Sequence, residues 1–385
     1  MSYWDTADNY GTVLQHYALQ IYLRSLGHEP FLIRFRFSES VREKIIRAWK
    51  SGGFLLVLRK SARFLISRIS GLRKFLRRKG ESLRDFEGFR NAYFSMSVVY
   101  RSYEQLKQNP PEADMYIAGS DQIWNTGGAS EIGESILVYL LSFVSGGTRR
   151  VACAASFGTR EFASAMSASF KIELSKFDFI SVRDQGSVDI CKSLGFESAV
   201  LQPDPTMLLA VSDYRDIECE TIDKTTPYIL LYLLNNTTDF SIRRLKSFAA
   251  RHGLEVVYVS ANCDYIGNIN LYAKECPTIH EWLRLYDGAS FVVTNSFHGT
   301  VFSLIYNKNF LFAPQCGKYK NQNTRILSLL DYFGLDARIF ADGNLESLMH
   351  PVDWSSVNVR LEEIREYSPF ATYVRTSFSE ETRRK

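Results

Sequence analysis

A histidine and several hydroxyl and amide side chains follow an apolar stretch in the last third of the chain. Residues 291–293 (Phe-Val-Val) lack polar alternation, which is typical of a strand buried on both faces of a parallel sheet. The next residues are Thr294, Asn295, Ser296, Phe297, His298, Gly299 and Thr300. Because ligands of open α/β sheets bind at the carboxyl ends of strands, this turn into a helix is a candidate anion site. The alternative is that Ser296 only caps the helix and that His298 only packs.

A second polar turn, residues 119–125, follows a predicted strand at 113–118. It offers a carboxylate at Asp121 and amides at Gln122 and Asn125. These groups could contact a ligand, or Asp121 and Asn125 could serve only as turn residues.

Arg183 is a cation at the carboxyl end of another predicted buried strand, residues 177–182. Burying its charge without an anion would cost desolvation free energy, so we expect it to meet either a ligand or an internal acid. The candidate internal acids are Asp184 and Asp204.

Strands and helices alternate along most of the chain, which favours an α/β fold with parallel sheets. The spacing predicts a helix over 13–26, ended by Gly27, and then a strand from Glu29. A helix that leads into a parallel strand normally follows an earlier strand, so we expect the first strand to be eroded or to lie upstream.

A chain of 385 residues is too long for one ordinary core. We predict an N-terminal Rossmann-like domain (1–211) with a basic helical insertion (41–80), a C-terminal Rossmann-like domain (212–350), and a partly helical tail (351–385) that returns to the first domain.

The composition, 45% hydrophobic and 23% charged, is typical of a soluble globular protein. We see neither a signal peptide nor an apolar run long enough to span a bilayer, so we expect a cytoplasmic protein. The six cysteines lack metal-ligand spacing, and we expect no metal and no cofactor. Dinucleotide, P-loop and nucleophile-elbow motifs are missing, which disfavours a dehydrogenase, a P-loop NTPase and an α/β-hydrolase.

Residues 42–79 carry thirteen Lys and Arg against one acid, Glu43. Leu, Ile and Phe are interleaved with these charges. The pattern fits peripheral contact with the inner face of the plasma membrane, or with a lipid-linked substrate. A basic, solvated helix face is the alternative, and no nucleic-acid-binding motif accompanies the charge.

Five stretches together resemble the polysaccharide pyruvyl transferase family, over roughly residues 9–335. They are 9–20 (Asn-Tyr-Gly-Thr-Val-Leu-Gln-His-Tyr-Ala-Leu-Gln), 119–125 (Gly-Ser-Asp-Gln-Ile-Trp-Asn), 181–187 (Ser-Val-Arg-Asp-Gln-Gly-Ser), 204–209 (Asp-Pro-Thr-Met-Leu-Leu) and 294–300 (Thr-Asn-Ser-Phe-His-Gly-Thr). The resemblance implies two Rossmann-like domains facing across a cleft, as in GT-B glycosyltransferases. It also implies transfer of pyruvate from phosphoenolpyruvate, as co-substrate, to a sugar hydroxyl pair as a ketal. One departure is Ser296, where many members carry an arginine.

On this basis we predict three sets of site residues. The catalytic set is His298, Asp121 and Arg183. The donor-binding set is Arg183, Asn295, Ser296, Gly299 and Thr300. The acceptor-binding set is Asn9, Tyr10, Gln15, Gln122 and Asn125. The acceptor would be a cell-surface polysaccharide or its lipid-linked precursor, and nucleic acid is not an expected partner.

Two alternatives stay open at this point. The same two-domain cleft could belong to a GT-B-type glycosyltransferase that uses a sugar nucleotide. The chain could also be a non-catalytic polysaccharide-assembly protein, held at the membrane by residues 41–80, whose donor site has decayed through changes such as Ser296.

Overall fold

The computed structural model describes residues 9–36, 84–126, 133–159, 162–221, 225–235, 240–261, 274–341 and 345–382. Strands and helices alternate through these residues, and the sheets are parallel, so the α/β class predicted from the sequence is confirmed. The predicted basic insertion at 41–80 lies outside the described residues.

In the first half of the chain, up to residue 221, helices and strands alternate. They are α1 (Tyr10–Ser25), β1 (Leu32–Phe35), α2 (Phe86–Tyr93), β2 (Met96–Tyr100), α3 (Tyr103–Gln108), β3 (Met115–Ala118), α4 (Glu134–Tyr139), β4 (Arg149–Ala155), α5 (Ser164–Leu174), β5 (Phe179–Val182), α6 (Gln185–Ser193), β6 (Val200–Leu201) and α7 (Val211–Arg215).

These strands form two separate parallel sheets. One has the strand order β3-β4-β5-β6, and the other consists of β1 and β2 alone. In the larger sheet Ile117 pairs with Val151, and Ala152 pairs with Ile180. The polar turns that follow β3 and β5 therefore lie at one edge of this sheet, its carboxyl edge.

The second half of the chain, from residue 225, builds a five-stranded parallel sheet in the order β11-β10-β7-β8-β9. Its elements are β7 (Tyr228–Leu233), α8 (Ile242–Arg251), β8 (Glu255–Ser260), β9 (Lys274–Glu275), α9 (Ile279–Gly288), β10 (Phe291–Thr294), α10 (Phe297–Ile305), β11 (Phe310–Phe312), α11 (Asn323–Phe333), α12 (Trp354–Tyr367) and α13 (Pro369–Thr382). Every residue of β7 is buried, as the apolar run 228–233 predicts.

Helix α1 begins at Tyr10, three residues earlier than the apolar periodicity predicted. The Asn9 side chain accepts a hydrogen bond from Thr12 N at 2.9 Å and so caps the helix. Gly27, with φ +86°, follows the last turn and lets the chain reverse toward β1. The cap places Gly11 and Thr12 in the first turn of α1, next to the polar turns of both large sheets.

The C-terminal helices pack back against the first half of the chain. Phe370 N donates to Gln202 Oε1 at 2.9 Å, and the Tyr373 ring stacks on Phe179 of β5 with centroids 4.6 Å apart. No helix in the described part of the chain is both long and apolar enough to cross a membrane.

Candidate active site

The carboxylate of Asp204 lies at the centre of a polar cluster where the two halves of the chain meet. Asp204 follows β6 and caps the short 3-10 helix Pro205–Leu208, and it is 1% exposed. Its Oδ1 accepts hydrogen bonds from Thr206 N (3.1 Å) and Thr206 Oγ1 (2.8 Å). Its Oδ2 accepts from Ser120 Oγ (2.9 Å). These bonds fix the orientation of the carboxylate.

Arg183 meets two internal acids, as the buried position of its charge required. Its Nη1 donates to Asp204 Oδ2 at 2.9 Å, and its Nη2 donates to Asp121 Oδ1 at 3.3 Å. Burial opposes the charge of the guanidinium, but Asp121 and then Asp204 outweigh it and raise the pKa of Arg183. The predicted alternative partner Asp184 instead caps α6 by accepting from Ser187 N. The charge of Arg183 is therefore neutralised inside the protein, where the guanidinium links β5 to the turns that carry Asp121 and Asp204.

His298 reaches the same carboxylate from the second half of the chain. Its Nε2 lies 3.5 Å from Asp204 Oδ2, and its side chain is 11% exposed. On the other side of the ring, α1 approaches so closely that a Cβ added to Gly11 would lie 2.1 Å from His298 Nδ1. Glycine is thus required at position 11 by the imidazole. The two contacts hold the ring between Asp204 and α1.

The groups around Asp204 control its ionisation. Burial alone would raise the pKa of this carboxyl, but His298 and Arg183 together with the Thr206 N–H lower it well below its usual range. Asp204 is therefore an anion at neutral pH, and its Oδ2 faces His298 Nε2.

Asp121 is the second carboxylate of the cluster and sits on strained backbone. Its φ is +97°, a value in the left-handed region that non-glycine residues rarely adopt. Burial opposes its charge, while Arg183, then Arg325 and His298, lower its pKa below the usual range. Its other oxygen, Oδ2, lies 3.5 Å from Thr12 Oγ1 of α1.

A second arginine, Arg325 of α11, faces the same cluster. The Arg183 and Arg325 guanidinium carbons lie 4.9 Å and 5.6 Å from the centroid of one ring, that of Phe297. In contrast to Arg183, Arg325 makes no hydrogen bond or ion pair with any residue that the structure describes. Burial, and then repulsion from Arg183, lower the pKa of Arg325 to about 10, so it stays charged at neutral pH. Arg325 is therefore a cation that interacts with the Asp121 carboxylate at a distance but makes no direct ion pair in the described part of the chain.

The other residues of the predicted donor turn bond to this turn or to the residues that follow β7. Asn295 Oδ1 accepts from Leu234 N (2.7 Å), and its Nδ2 donates to Asn235 O (3.0 Å). Ser296 Oγ caps α10 by accepting from Gly299 N, and Thr300 Oγ1 donates to Ser296 O. These side chains stabilise the turn that carries His298. Ser296 acts as a helix cap, which is the alternative interpretation of this residue.

The predicted acceptor residues do not form one surface. Asn9 caps α1, and Tyr10 is fully buried, with its hydroxyl donating to Pro277 O and its ring stacked on Trp282. Gln15 is 1% exposed, and its Nε2 donates to Ser120 O at 3.5 Å. We correct the assignment of Tyr10, because a side chain with no exposed surface packs the core and does not touch an acceptor. Gln122 and Asn125 are partly exposed and hydrogen-bond each other at 3.1 Å.

The family model for polysaccharide pyruvyl transferases matches residues 9–313. The chain belongs to this family. It is therefore a transferase, and the family acts by moving a pyruvyl group onto polysaccharide. The match includes α1, both polar turns, Asp204 and the His298 turn, so the whole cluster around Asp204 except Arg325 lies within the family region.

Two further comparisons add little to this assignment. No curated protein matches the chain significantly. A solved structure of a functionally uncharacterized protein from Klebsiella pneumoniae subsp. pneumoniae NTUH-K2044 is 16% identical, with a TM-score of 0.36, over 67% of this chain and 84% of that one.

The sequence alone does not assign a role in the site to three of its members. It gives Asp204 as a candidate partner of Arg183 and as part of one family stretch, it gives Gly11 as part of another stretch, and it does not single out Arg325. Arg325 carries no local signal, because it sits inside an ordinary amphipathic helix 27 positions after His298. No group of His, Cys, Asp or Glu within the described ranges could hold a metal ion.

Proposed function

We propose that this transferase moves the pyruvyl group of phosphoenolpyruvate onto two hydroxyls of one sugar, in a cell-surface polysaccharide or its lipid-linked precursor. The observation that supports this most is the presence, in one cluster, of a histidine beside the Asp204 carboxylate and an arginine that makes no direct ion pair in the described part of the chain. One group can move a proton and the other can hold an anionic donor. In this proposal the two Rossmann-like halves face each other across a GT-B-like cleft, with the donor between them.

Arg325 is the donor-binding cation of this proposal. The donor carries a carboxylate and a phosphate, and a planar guanidinium binds either group through paired hydrogen bonds. Arg183 was the sequence-based choice, but both of its terminal nitrogens already donate to Asp204 and Asp121. Arg325 also replaces the cation that many family members carry at the position of Ser296. The first-turn N–H groups of α10 add to the positive potential on the donor.

His298 is the proton-transfer group. Its Nδ1 is packed against Gly11 of α1, whereas its Nε2 makes no hydrogen bond in the described part of the chain, so Nε2 is the nitrogen that exchanges protons. Nε2 accepts the proton of the attacking sugar hydroxyl as its oxygen bonds to C2 of the donor, and the Asp204 anion 3.5 Å away stabilises the imidazolium that forms. The imidazolium of His298 then gives this proton to the methylene carbon, which becomes the methyl group. The second hydroxyl then attacks C2, its proton leaves with inorganic phosphate, and the ketal ring closes.

The direct test is to incubate the protein with phosphoenolpyruvate and a panel of polysaccharides and lipid-linked sugars. Inorganic phosphate release is measured, and the ketal methyl group is detected by proton NMR. We expect release that depends on both substrates, with one ketal per phosphate. A rise in Tm with a nucleoside diphosphate sugar but not with phosphoenolpyruvate would instead favour a glycosyltransferase. No response to either donor would favour a non-catalytic assembly protein.

The basic segment 41–80 is proposed to hold the enzyme at its acceptor. Its excess of Lys and Arg would attract anionic headgroups or the diphosphate of a lipid-linked sugar, at about 1 kcal/mol per basic residue near the surface. Co-sedimentation with phosphatidylserine vesicles should fall on deletion of 41–80 and should weaken with salt. Binding that survives the deletion would assign the membrane contact elsewhere.

A further inference from the structure

One aromatic ring, that of Phe297, lies against three groups of the active site. The guanidinium carbons of Arg183 and Arg325 are 4.9 Å and 5.6 Å from its centroid. The His298 ring meets it edge to face, with centroids 5.3 Å apart and an interplanar angle of 88°. Phe297 is the first residue of α10, directly after the Ser296 cap, and is 7% exposed. The ring therefore packs in the core and also lies within cation–π distance of both arginines.

The two arginines depend on this ring to different extents. Nη1 and Nη2 of Arg183 donate to Asp204 and Asp121, so two carboxylates hold this guanidinium. Arg325 makes no direct ion pair or hydrogen bond in the described part of the chain. The face of the Phe297 ring is therefore the direct electrostatic partner of Arg325 among the described residues.

Repulsion between the two cations makes such a partner necessary. Proximity of Arg183 lowers the pKa of Arg325, second only to burial, whereas the Asp121 carboxylate opposes this effect from a distance. The Arg325 side chain is partly exposed, so it can turn away from Arg183 toward solvent. The negative potential on the face of the Phe297 ring favours the opposite orientation, in which Arg325 faces the cluster.

We propose that Phe297 is a positioning residue for the donor, because its ring holds the Arg325 guanidinium in the orientation that binds phosphoenolpyruvate. This inference rests on the proposed role of Arg325 in donor binding. A carboxylate in place of the ring would hold the arginine more strongly, but it would neutralise the charge and occupy the N–H donors. A ring face occupies none of them, so the N–H groups stay available for the carboxylate or the phosphate of the donor.

The ring acts on donor affinity through the population of one side-chain orientation. A weaker contact between Phe297 and Arg325 lowers the fraction of free protein in which the guanidinium faces the donor site. The apparent Kd rises in inverse proportion to that fraction, although no atom of Phe297 is required to touch the donor. A residue that only fills space would not change Kd when its shape is kept and its ring electrons are withdrawn.

The experiment replaces Phe297 in the full chain by 4-fluorophenylalanine and then by 3,5-difluorophenylalanine, which keep the shape of the ring and weaken its negative face. Calorimetric titration with phosphoenolpyruvate, without acceptor, gives Kd. We expect Kd to rise stepwise, by roughly twofold to fivefold for the difluoro ring. Phe302 is the matched control, since it lies on the same helix and its buried ring packs on Tyr214 and Trp282. The same substitutions there should leave Kd unchanged.

The Arg325→Gln background shows whether the ring acts through this arginine. In that background the difluoro ring at position 297 should have no further effect on Kd, because the cation is gone. Urea unfolding gives a second readout that does not depend on any donor. The difluoro ring should lower the midpoint more in the chain with Arg325 than in the Arg325→Gln chain.

Three results would overturn the proposal. They are an unchanged Kd across the Phe297 series, an equal rise for the Phe297 and Phe302 series, and an equal rise with and without Arg325. If phosphoenolpyruvate does not bind the wild-type chain at all, the proposed donor is wrong and Phe297 has no role in binding it. The urea midpoints would still show in that case whether the ring holds Arg325, so the two failures are distinguishable.

Discussion

At the scale of single residues, the site depends on which charges are already neutralised. Arg183 forms ion pairs with both Asp204 and Asp121, and His298 faces Asp204. Arg325 makes no direct ion pair in the described part of the chain, and holding its partly buried guanidinium without a directly bonded anion costs free energy. Such a cost is reasonable where a substrate supplies the missing anion.

His298→Ala should lower turnover by on the order of 10²-fold or more, because the variant loses the group that takes the hydroxyl proton. The turnover rate is measured as phosphate release with donor and acceptor at saturating concentrations. His350→Ala, at an exposed position far along the chain, is the control and should keep the wild-type rate. Wild-type turnover in His298→Ala would exclude the imidazole from proton transfer.

Arg325→Gln should raise KM for phosphoenolpyruvate by roughly tenfold to a hundredfold, in line with a charge-assisted hydrogen bond of about 1.5 to 3 kcal/mol. Arg360→Gln is a close control, since its guanidinium also lies 5.6 Å from a ring centroid, that of Tyr332 on the outer surface. The KM of the control should not change. If the Arg325 variant kept its KM while Arg183→Gln lost donor binding without unfolding, the sequence-based assignment to Arg183 would be restored.

At the scale of elements, α1 and α10 meet through one glycine and one imidazole. An alanine at position 11 would favour the helix by up to about 1 kcal/mol, but its Cβ would overlap the His298 ring. The close approach of the two helices is therefore a requirement of the site and not of helix formation.

Gly11→Ala should destabilise the protein by about 1 to 3 kcal/mol through overpacking and should lower turnover as the ring is displaced. Urea unfolding and phosphate release measure the two effects. The same change in a His298→Ala background should cost clearly less, because the ring is gone and only the Cβ of residue 298, 2.7 Å from the added Cβ, still has to shift. Gly147→Ala, where an added Cβ meets nothing, is the control. A Gly11→Ala penalty of equal size in both backgrounds would show that the imidazole is not its cause.

Comparison of the individual elements with the sequence shows which features of the fold and the site can be predicted from local patterns. Apolar runs such as 228–233 predict strands because they are buried on both faces, and Gly27 and Asn9 signal the ends of α1 locally. The sequence correctly predicts that the turn 294–300 follows a strand. It does not show that Asn295 bonds to the residues after β7, or that Ser296 and Thr300 bond within their own turn. The meeting of Asp204 with His298, 94 positions away, depends on tertiary packing, which no local pattern encodes.

At the scale of the whole molecule, the two halves of the chain are tied together at Asp204 and at Tyr10. Tyr10 of the first half stacks on Trp282 of the second at 5.1 Å, and Asp204 of the first half faces His298 of the second. The stacked pair is insensitive to acid, whereas the Asp204 contacts require a carboxylate. Acid should therefore weaken this junction through Asp204.

The free energy of unfolding should thus contain a contribution from Asp204 that depends on pH. The pKa of Asp204 is lowered in the folded state, so its contribution is fully present above the unfolded value of about 3.9 and is lost as pH falls toward the folded value. Asp204→Asn removes this contribution at every pH, which should cost about 3 to 5 kcal/mol at pH 7 because Arg183 and His298 lose a buried partner. Urea unfolding from pH 7 to pH 2 should show the gap between wild type and Asp204→Asn closing below about pH 4. Asp189→Asn, at an exposed position on α6, should instead run parallel to the wild type. A gap for Asp204→Asn that stayed constant down to pH 2 would mean that the carboxylate charge does not hold the two halves together.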